Sequence, residues 1–285
     1  MSVKSKIQNP KSKISSILDR KTIAIIGAGT MGQALVKGLL AQGLSRQRLL
    51  AADPNAAARR QVSRRFRLTV TDDNARVVKR SDVVILAVKP QQFPELAAQL
   101  APHLTRQHLV ISIAAGITLR CLQERLRGVP LVRVMPNLTA TVGRGFSAIT
   151  LGRAASARHR AVALAIFEAV GDVVELPERD FDAVTAVSGS GPAYVFFLVH
   201  AWEEAARSLG LPTAAAARAI RQTLTGSAQL LQESDEDAWA LVGKVASKGG
   251  TTEAALKRLA RHHVTAHVVE AIRAAARRSQ QLSWR

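Results

Sequence analysis

The stretch TIAIIGAGTMG at residues 22–32 decides the fold, because it joins a short apolar run to a glycine-rich turn and a helical pattern. In a G-x-G-x-x-G turn between a strand and a helix, the three glycines have separate roles. Gly27 permits the tight turn, Gly29 lets the backbone approach a pyrophosphate, and Gly32 lets the helix pack against the strand. Unpaired N–H groups at the helix N-terminus favour the phosphates. Asp53, about twenty residues downstream, completes the pattern of a dinucleotide-binding domain.

Short apolar runs alternate with helical patterns around this turn, and runs rich in Val, Ile and Leu are typical of strands buried on both faces. Strands are predicted at Thr22–Ile26, Leu49–Asp53, Leu68–Val70, Val83–Val88, Leu109–Ala114 and Leu131–Val134. Helices are predicted between them at Met31–Gln42, Ala56–Arg65 and Leu119–Arg127. The alternation predicts an α/β fold over residues 21–180, a Rossmann-type doubly wound parallel sheet.

Residues 181–285 are rich in alanine and lack the apolar runs typical of strands, which predicts a C-terminal all-α domain. Helices are expected at about Pro192–Ser208, Pro212–Glu233, Asp237–Lys244, Glu253–Ala260 and Val264–Leu282. Apolar side chains surround nearly all of the first helix, so it must be covered on every side. A small helical domain does not achieve this alone, and we therefore expect a homodimer. An assembly of several dimers stays open.

The net charge of +19 raises the affinity of the chain for any polyanion. The basic residues are scattered over predicted helix surfaces, however, and aromatic residues make up only 4% of the chain, too few to interleave for base stacking. We therefore expect a solvated basic surface and no specific nucleic-acid partner. No apolar run approaches the roughly eighteen residues needed to cross a bilayer, so no membrane partner is expected.

Residues 1–20 are basic and polar and lack the apolar core of a secretory signal, so we expect a disordered tail. A transit-type address is the alternative for this segment. Cys121 is the single cysteine, which excludes an intrachain disulfide and fits a reducing cytoplasm, the expected location. No metal site is predicted.

Two further strand ends are expected beside the glycine turn, because ligands of such sheets bind at the C-terminal edges of the strands. The stretch Ala87-Val88-Lys89-Pro90 offers a lysine to the nicotinamide ribose, and the small residues of Ile113-Ala114-Ala115-Gly116 let a flat ring lie close to the backbone. Asp53 favours NADH because it repels a 2′-phosphate. Arg59 and Arg60 can neutralise such a phosphate or simply form a solvated helix face. The choice between NADH and NADPH stays open.

Two segments of the second half place hydroxyl groups and glycines immediately before a predicted helix. They are DAVTAVSGSGPAY at residues 182–194 and VASKGGTTE at residues 245–253. Free backbone N–H groups, an N-cap hydroxyl and the helix dipole suit a small carboxylate. Plain N-capping is the alternative, but two such segments in one small domain favour a site.

The chain strongly resembles the pyrroline-5-carboxylate reductase family. The matching motifs follow in family order over about residues 21–281: GAGTMGQAL, TDDNA, DVVILAVKPQQ, ISIAAGI, RVMPN, DAVTAVSGSGPAYVF and VASKGGTTEAAL. The resemblance implies a Rossmann domain, a helical dimerisation domain and the NAD(P)H-dependent reduction of Δ1-pyrroline-5-carboxylate to L-proline. By position, it implies that the cofactor is held by Gly27, Ala28, Gly29, Thr30, Met31, Gly32, Asn74, Lys89, Pro90, Ala114 and Ala115. It further implies that Ser247, Thr251 and Thr252 hold the substrate carboxylate, with Glu178 as a neighbouring polar contact.

The chain departs from the family pattern at three places, of which one, Ala260 where an acidic residue is common, concerns only helix stability. Lys248 stands where the family usually has proline, and Leu138-Thr139 follow the MPN motif where the family has Thr-Pro. Lys248 adds a positive charge and a more flexible backbone beside the expected carboxylate site. These departures bear on affinity and loop rigidity more than on the type of reaction.

The expected chemistry needs little help from a catalytic acid, because a protonated cyclic imine is already a strong electrophile. Orientation against the nicotinamide in a dry site should supply most of the acceleration. The residues after Gly191 include no lysine, which argues against a hydroxyacid dehydrogenase of similar plan. Our hypothesis is that Thr252, or a water, gives or relays the amine proton.

Two other functions stay open at this point. One is the reduction of the six-membered homologue of the imine, since an apolar pocket discriminates weakly against one methylene. The other is a dinucleotide-binding or polyanion-binding protein without catalysis, which the positive charge suggests.

Overall fold

The computed structural model describes residues 17–284, which divide into two compact units. We call residues 17–189 together with 276–284 the sheet unit, and residues 190–275 the helical unit.

The sheet unit is built on eight strands in the order β3-β2-β1-β4-β5-β6-β7-β8. The strands are β1 Ile23–Ile26, β2 Leu49–Ala52, β3 Val70–Thr71, β4 Val83–Leu86, β5 Leu109–Ser112, β6 Leu131–Pro136, β7 Gly145–Leu151 and β8 Gly171–Glu175. Neighbouring strands are parallel except β6 and β7, which are antiparallel. The six predicted strands are present and the Rossmann-type fold is confirmed, whereas β7 and β8 extend the sheet beyond the prediction.

Helices cover both faces of the sheet, as a parallel sheet requires. They are α1 Thr30–Ala41, α2 Ala56–Phe66, α3 Asn74–Val78, α4 Phe93–Leu100, α5 Leu119–Arg125, α6 Ala157–Glu168 and α7 Phe181–Val184. Alternate residues of β1 enter two separate apolar cores: Ile23 and Ile25 join one, and Ala24 and Ile26 join the other. This period of two places every side chain of β1 in a core, because both faces are covered.

The helical unit contains α8 Gly191–Ser208, α9 Thr213–Glu233, α10 Ala238–Val245, α11 Thr251–Arg261 and the first part of α12 Val264–Leu282. These helices lie within a few residues of the predicted ones. Large apolar side chains stand exposed on α8, including Phe196 (60%), Phe197 (71%) and Trp202 (43%). A single copy of the chain therefore leaves an apolar face of α8 uncovered, as the sequence predicts for a dimer.

One helical stretch among the described residues, Glu178–Ser208, is long and apolar enough to cross a membrane by length and composition alone. This corrects the expectation that no stretch of the chain approaches that length. Only 6% of its most apolar 18-residue stretch is buried. The same exposed side chains suit contact with a helix of a partner subunit.

The sheet unit includes residues 17–20, which the sequence assigns to the tail. Leu18 is 1% exposed and packs in the core, and its carbonyl accepts a hydrogen bond from the Lys21 N–H. Residues 17–20 therefore do not belong to a disordered tail. The rest of the predicted tail, residues 1–16, lies outside the described residues.

The structure divides near residue 190 rather than at 180, and residues 276–284 return to the sheet unit. The amide nitrogen of Asn137 donates to the Ser188 hydroxyl at 3.1 Å, which fixes the chain after α7 to the end of β6. The Ser279 hydroxyl donates to the Asp182 carboxylate at 2.6 Å, which fixes the end of α12 to α7. These bonds explain why both segments pack with the sheet.

A buried ion pair joins β6 to the segment before α7. Arg133 is 5% exposed and donates to the Glu178 carboxylate at 2.7 Å, while its guanidinium lies 4.7 Å from the centre of the Phe181 ring. The same carboxylate oxygen accepts a hydrogen bond from the Leu119 N–H at the start of α5. Glu178 thus neutralises a buried cation and ties three elements together.

Glu178→Ala is expected to lower the free energy of unfolding by about 3 kcal/mol, because it leaves the buried Arg133 guanidinium without its carboxylate. Thermal unfolding followed by circular dichroism measures this as a drop in Tm of several degrees. Glu168→Ala removes an exposed carboxylate at the end of α6 and should leave Tm nearly unchanged. Equal Tm values for Glu178→Ala and the wild type would show that the ion pair does not stabilise the fold.

Candidate cofactor and substrate sites

The glycine turn between β1 and α1 has the geometry that its spacing predicts. Gly27 adopts a φ of +105°, and a Cβ there would collide with the carbonyl of Ala87 at the end of β4. A Cβ on Gly32 would collide with the carbonyl of Gly27, since α1 lies directly against the turn. A Cβ on Gly29, in contrast, would meet no atom within 4 Å. The turn is therefore closed toward the sheet and open at Gly29.

Asp53 supports the turn from the end of β2. One carboxylate oxygen accepts the Ala28 N–H at 2.7 Å, and the other accepts the Asn55 N–H at 2.8 Å. Arg59 donates to the backbone carbonyls of Asp53 and Pro54. Its guanidinium also pairs with the Asp72 carboxylate, just after β3, at 3.1 Å. The Asp53 carboxylate thus fixes the conformation of the glycine turn, a role that the sequence does not reveal.

A cavity of about 400 Å³ lies against the open side of the turn. Its lining includes Gly29 and Thr30 at the start of α1 together with Lys37 and Arg65. Gly29 is the N-cap of α1 and makes no side-chain cap bond. Free N–H groups and two nearby cations suit an anionic ligand such as a pyrophosphate.

Asn74, at the start of α3, is buried with one atom unsatisfied. Its amide nitrogen donates to Gln99 at 2.9 Å, whereas its carbonyl oxygen has no hydrogen-bond partner. A buried acceptor without a donor costs about 1–3 kcal/mol, so such an atom calls for a ligand or a water. Asn74 lies at the same sheet edge as the glycine turn, since α3 follows the C-terminal end of β3.

The two other predicted cofactor segments follow β4 and β5. β4 pairs with β1 and β5 pairs with β4, and all three strands are parallel. Ala87–Pro90 and Ile113–Ala115 therefore follow the strands at the same sheet edge as the glycine turn. Lys89 and Ala115 are exposed there, and Ala114 is buried. The structure therefore brings together at one edge every residue predicted to hold the cofactor, with Met31 half-buried in the first turn of α1.

The predicted carboxylate segment of the helical unit forms a tight turn before α11. Gly249 has a φ of +74°, and the Gly250 N–H donates to the Ser247 carbonyl at 3.0 Å. Gly250 is the N-cap of α11 and makes no side-chain cap bond, so Thr251 and Thr252 stand in an uncapped first turn. This is the arrangement that the sequence predicts for binding a small carboxylate.

Glu253 holds this turn in place by reaching back from α11. Its carboxylate accepts the Gly249 N–H at 2.5 Å and pairs with Lys257 at 2.9 Å. The hydrogen bond from Lys257, followed by that from Gly249, lowers the pKa of Glu253, which is therefore charged at neutral pH. Sequence reasoning missed this role, although an acid three residues after an N-cap is the spacing of a capping box.

The SGSG segment immediately precedes α8, as the sequence predicts, but it offers no open turn with a capping hydroxyl. Thr185–Gly189 form a π-helical segment after α7, and Ser190, the N-cap of α8, makes no side-chain cap bond. Ser188 accepts hydrogen bonds from Asn137, and a Cβ on Gly189 would press on Met135. The small residues of this motif therefore allow the MPN segment to pack closely, and π turns of this kind occur often at functional sites.

Two family models match the chain: pyrroline-5-carboxylate reductase dimerisation over residues 178–282, and NADP oxidoreductase, coenzyme F420-dependent, over residues 22–116. The pyrroline-5-carboxylate reductase of Synechocystis sp. is 40% identical over 261 residues, covering 91% of this chain and 97% of that protein. That of Pseudomonas aeruginosa is 41% identical over 263 residues, covering 92% and 96%. A solved pyrroline-5-carboxylate reductase from Coxiella burnetii matches with a TM-score of 0.86 at 32% identity, covering 93% of this chain and 99% of that one. One from Plasmodium falciparum with NADP bound matches with a TM-score of 0.84 at 26% identity, covering 93% and 99%.

The chain belongs to the pyrroline-5-carboxylate reductase family. The resemblance found in its motifs is thereby confirmed, as are the Rossmann domain and the dimerisation domain. The dimerisation model covers the whole of α8, whose exposed apolar side chains are the surface that a dimerisation domain needs.

In this reductase, Gly29→Ala and Gly32→Ala separate ligand binding from folding. Gly29→Ala meets no protein atom and has an ordinary φ of −72°, so Tm should stay the same or rise slightly. Its methyl group would stand where a pyrophosphate approaches, and we expect NADPH to bind at least about tenfold more weakly. Gly32→Ala should lower Tm instead, because α1 must move away from the turn. Unchanged NADPH affinity in Gly29→Ala, measured by quenching of protein fluorescence, would contradict a pyrophosphate at this turn.

Glu253→Ala tests the turn of the helical unit in this reductase. Loss of a negative charge by itself should strengthen the binding of an anionic substrate, whereas loss of the bond to Gly249 should loosen the turn and weaken it. We expect the second effect to dominate and the KM for the imine to rise several-fold, with the KM for NADPH unchanged. Glu270→Ala, an exposed glutamate of α12, is the charge-matched control. A lower KM in Glu253→Ala would show that Glu253 does not support the turn.

Proposed function

We propose that the chain reduces Δ1-pyrroline-5-carboxylate to L-proline with NADPH or NADH. The observation that carries this proposal is the presence of two uncapped helix N-termini of different character. One, at α1, adjoins a cavity large enough for phosphates, and the other, at α11, presents glycines and hydroxyls suited to a small carboxylate. The family relationship supports the same reaction.

The residues at the sheet edge fit a dinucleotide. The open side of Gly29 admits a pyrophosphate, and the unsatisfied Asn74 carbonyl can accept a hydrogen bond from a hydroxyl or amino group of the ligand. When bound, the reduced nicotinamide supplies the hydride. We assign the binding of the cofactor to Gly27, Ala28, Gly29, Thr30, Met31, Gly32, Asp53, Asn74, Ala87, Val88, Lys89, Pro90, Ile113, Ala114 and Ala115.

In this proposal, Ser247, Thr251 and Thr252 bind the carboxylate of the imine. Backbone N–H groups of an uncapped helix N-terminus complement a negative charge, and the Thr hydroxyls add donors. Lys248, in place of the family's usual proline, adds a nearby positive charge that should lower the KM for the anionic substrate. Glu178 already holds the buried Arg133, and we propose that it acts on the site through that contact and the start of α5.

The chain's own residues contribute mainly orientation. A flat, protonated imine needs to be held against the nicotinamide ring with water excluded, and small residues such as Ala114 and Ala115 allow that close approach. Thr252 is half-buried in the first turn of α11, and in this proposal its hydroxyl holds or relays the proton at the ring nitrogen. We propose Thr252 as the catalytic residue in this limited sense.

The apolar face of α8 supports a homodimer, and the family's dimerisation domain supports the same. Other large apolar side chains of the helical unit are exposed as well, such as Trp239 at 76%, and an assembly of several dimers stays open. A membrane is not part of the proposal, because the dimer accounts for the apolar surface. A specific nucleic-acid partner is not part of it either, because the basic residues are scattered along the sequence. We propose a cytoplasmic location, which suits the buried free thiol of Cys121.

The assay that tests the proposal follows the loss of NAD(P)H absorbance with the five-membered imine and with its six-membered homologue, each with NADPH and NADH. We expect turnover with the five-membered imine and a kcat/KM that is higher for it by about tenfold or more. Faster turnover of the six-membered ring would make that compound the substrate. No turnover of either, together with salt-sensitive binding of DNA, would favour the non-catalytic alternative.

Thr252→Ala should lower kcat at least several-fold if its hydroxyl handles the amine proton. Thr252→Ser keeps the hydroxyl and should retain most of the activity. Thr213→Ala removes an equivalent hydroxyl from the first turn of α9 and is the matched control. Full turnover by Thr252→Ala would remove Thr252 from the catalytic step and leave the proton to a water.

A further inference from the structure

Residues 276–284 contact the turn that follows β5 through a short backbone ladder. The Trp284 N–H donates to the Gly116 carbonyl at 2.8 Å, and the Thr118 hydroxyl donates to the Trp284 carbonyl at 2.7 Å. Trp284 also pairs with Ile117 as a parallel β-bridge. The segment therefore adds a one-residue strand beside residues 116–118.

Side-chain packing closes the same contact on two sides. The Trp284 side chain packs against the apolar core that contains Ala114 and Ile117. Gly116 has a φ of +77°, and a Cβ built there would lie 3.0 Å from the Leu282 carbonyl. The end of α12 thus lies directly on Gly116.

A second anchor fixes the end of α12 itself. The Asp182 carboxylate accepts the Ser279 hydroxyl at 2.6 Å and the Ser283 hydroxyl at 3.4 Å. Because Asp182 lies in α7, this anchor does not depend on the turn after β5. Residues 276–284 are therefore held independently and can restrain that turn.

We propose that Trp284 and its segment form a clamp that positions the Ala114–Gly116 turn for hydride transfer. The inference rests on the proposed function, in which this turn supports the nicotinamide. Gly116 and the exposed Ala115 give the turn little rigidity of its own, so a contact from outside must fix it. A displacement of about 1 Å at such a surface can cost up to about a hundredfold in rate. Trp284 acts here as a positioning residue, since its contacts are with the turn and not with the reacting atoms.

The test compares Trp284→Ala with the conservative Trp284→Phe and with Gln281→Ala, an exposed residue of the same helix end. Ser279→Ala, which removes only the bond to Asp182, is a milder second variant. Each is measured for NADPH affinity, for affinity to 2′,5′-ADP, which lacks the nicotinamide, and for the kinetic isotope effect with C4-deuterated NADPH. Thermal unfolding confirms that each variant is folded.

In Trp284→Ala, we expect about tenfold weaker binding of NADPH and unchanged binding of 2′,5′-ADP. The kinetic isotope effect should also differ from that of the wild type. Trp284→Phe should restore most of the lost NADPH affinity. Ser279→Ala should show the same pattern more weakly, and Gln281→Ala should match the wild type. Equal weakening of both ligands, or of neither, would overturn the clamp.

Ala115→Val distinguishes the clamp from the proposed cofactor site. If Ala115→Val weakens NADPH binding while Trp284→Ala does not, the clamp fails and the cofactor site stands. Because these binding measurements need no imine, a failure to reduce pyrroline-5-carboxylate would count against the proposed function alone.

Discussion

The fold depends on a close backbone contact that only glycine permits, at the turn between β1 and α1. Gly27 lies against the Ala87 carbonyl at the end of β4, and Gly32 lies against the Gly27 carbonyl. A methyl group at either position would push α1 away from the strands and would move its free N–H groups off the sheet edge. The bond from Ala28 to Asp53 then fixes the turn to β2. The dinucleotide site depends on this contact, because the contact places the uncapped N-terminus of α1 beside the ends of the parallel strands β1, β2 and β4.

Elements with a strong local signal could be predicted from the sequence. The strands β1, β2, β4 and β5 are fully buried and almost entirely apolar, and the helices α9 and α11 begin directly after Pro212 and Gly250. The strand β8, with the sequence GDVVE, carries two acids and is half-exposed at the sheet edge, so it lacks the apolar run of a buried strand. The SGSGP segment predicted the start of α8 correctly, since Pro192 lies in its first turn, but it did not reveal the π-helical segment that precedes it.

The candidate site was predictable where function depends on spacing within one segment, as for the glycine turn and for residues 245–253. Contacts between distant segments carry no such signal. Glu178 pairs with Arg133 over 45 residues, Asn137 with Ser188 over 51, and Thr118 with Trp284 over 166. Each is a hydrogen bond that forms only when the sheet brings its elements together. These bonds decide which polar residues of the family motifs support the structure and which stay free for ligands.

In the proposed reaction, the dinucleotide bound at the glycine turn passes its hydride directly to the cyclic imine. The most direct measurement uses NADPH carrying deuterium at C4 of the nicotinamide, with each face labelled in turn, and mass spectrometry of the proline formed. We expect one deuterium at the former imine carbon of proline with one of the two labelled cofactors and none with the other. Unlabelled proline with both cofactors, or oxidation of NADPH without formation of proline, would contradict it.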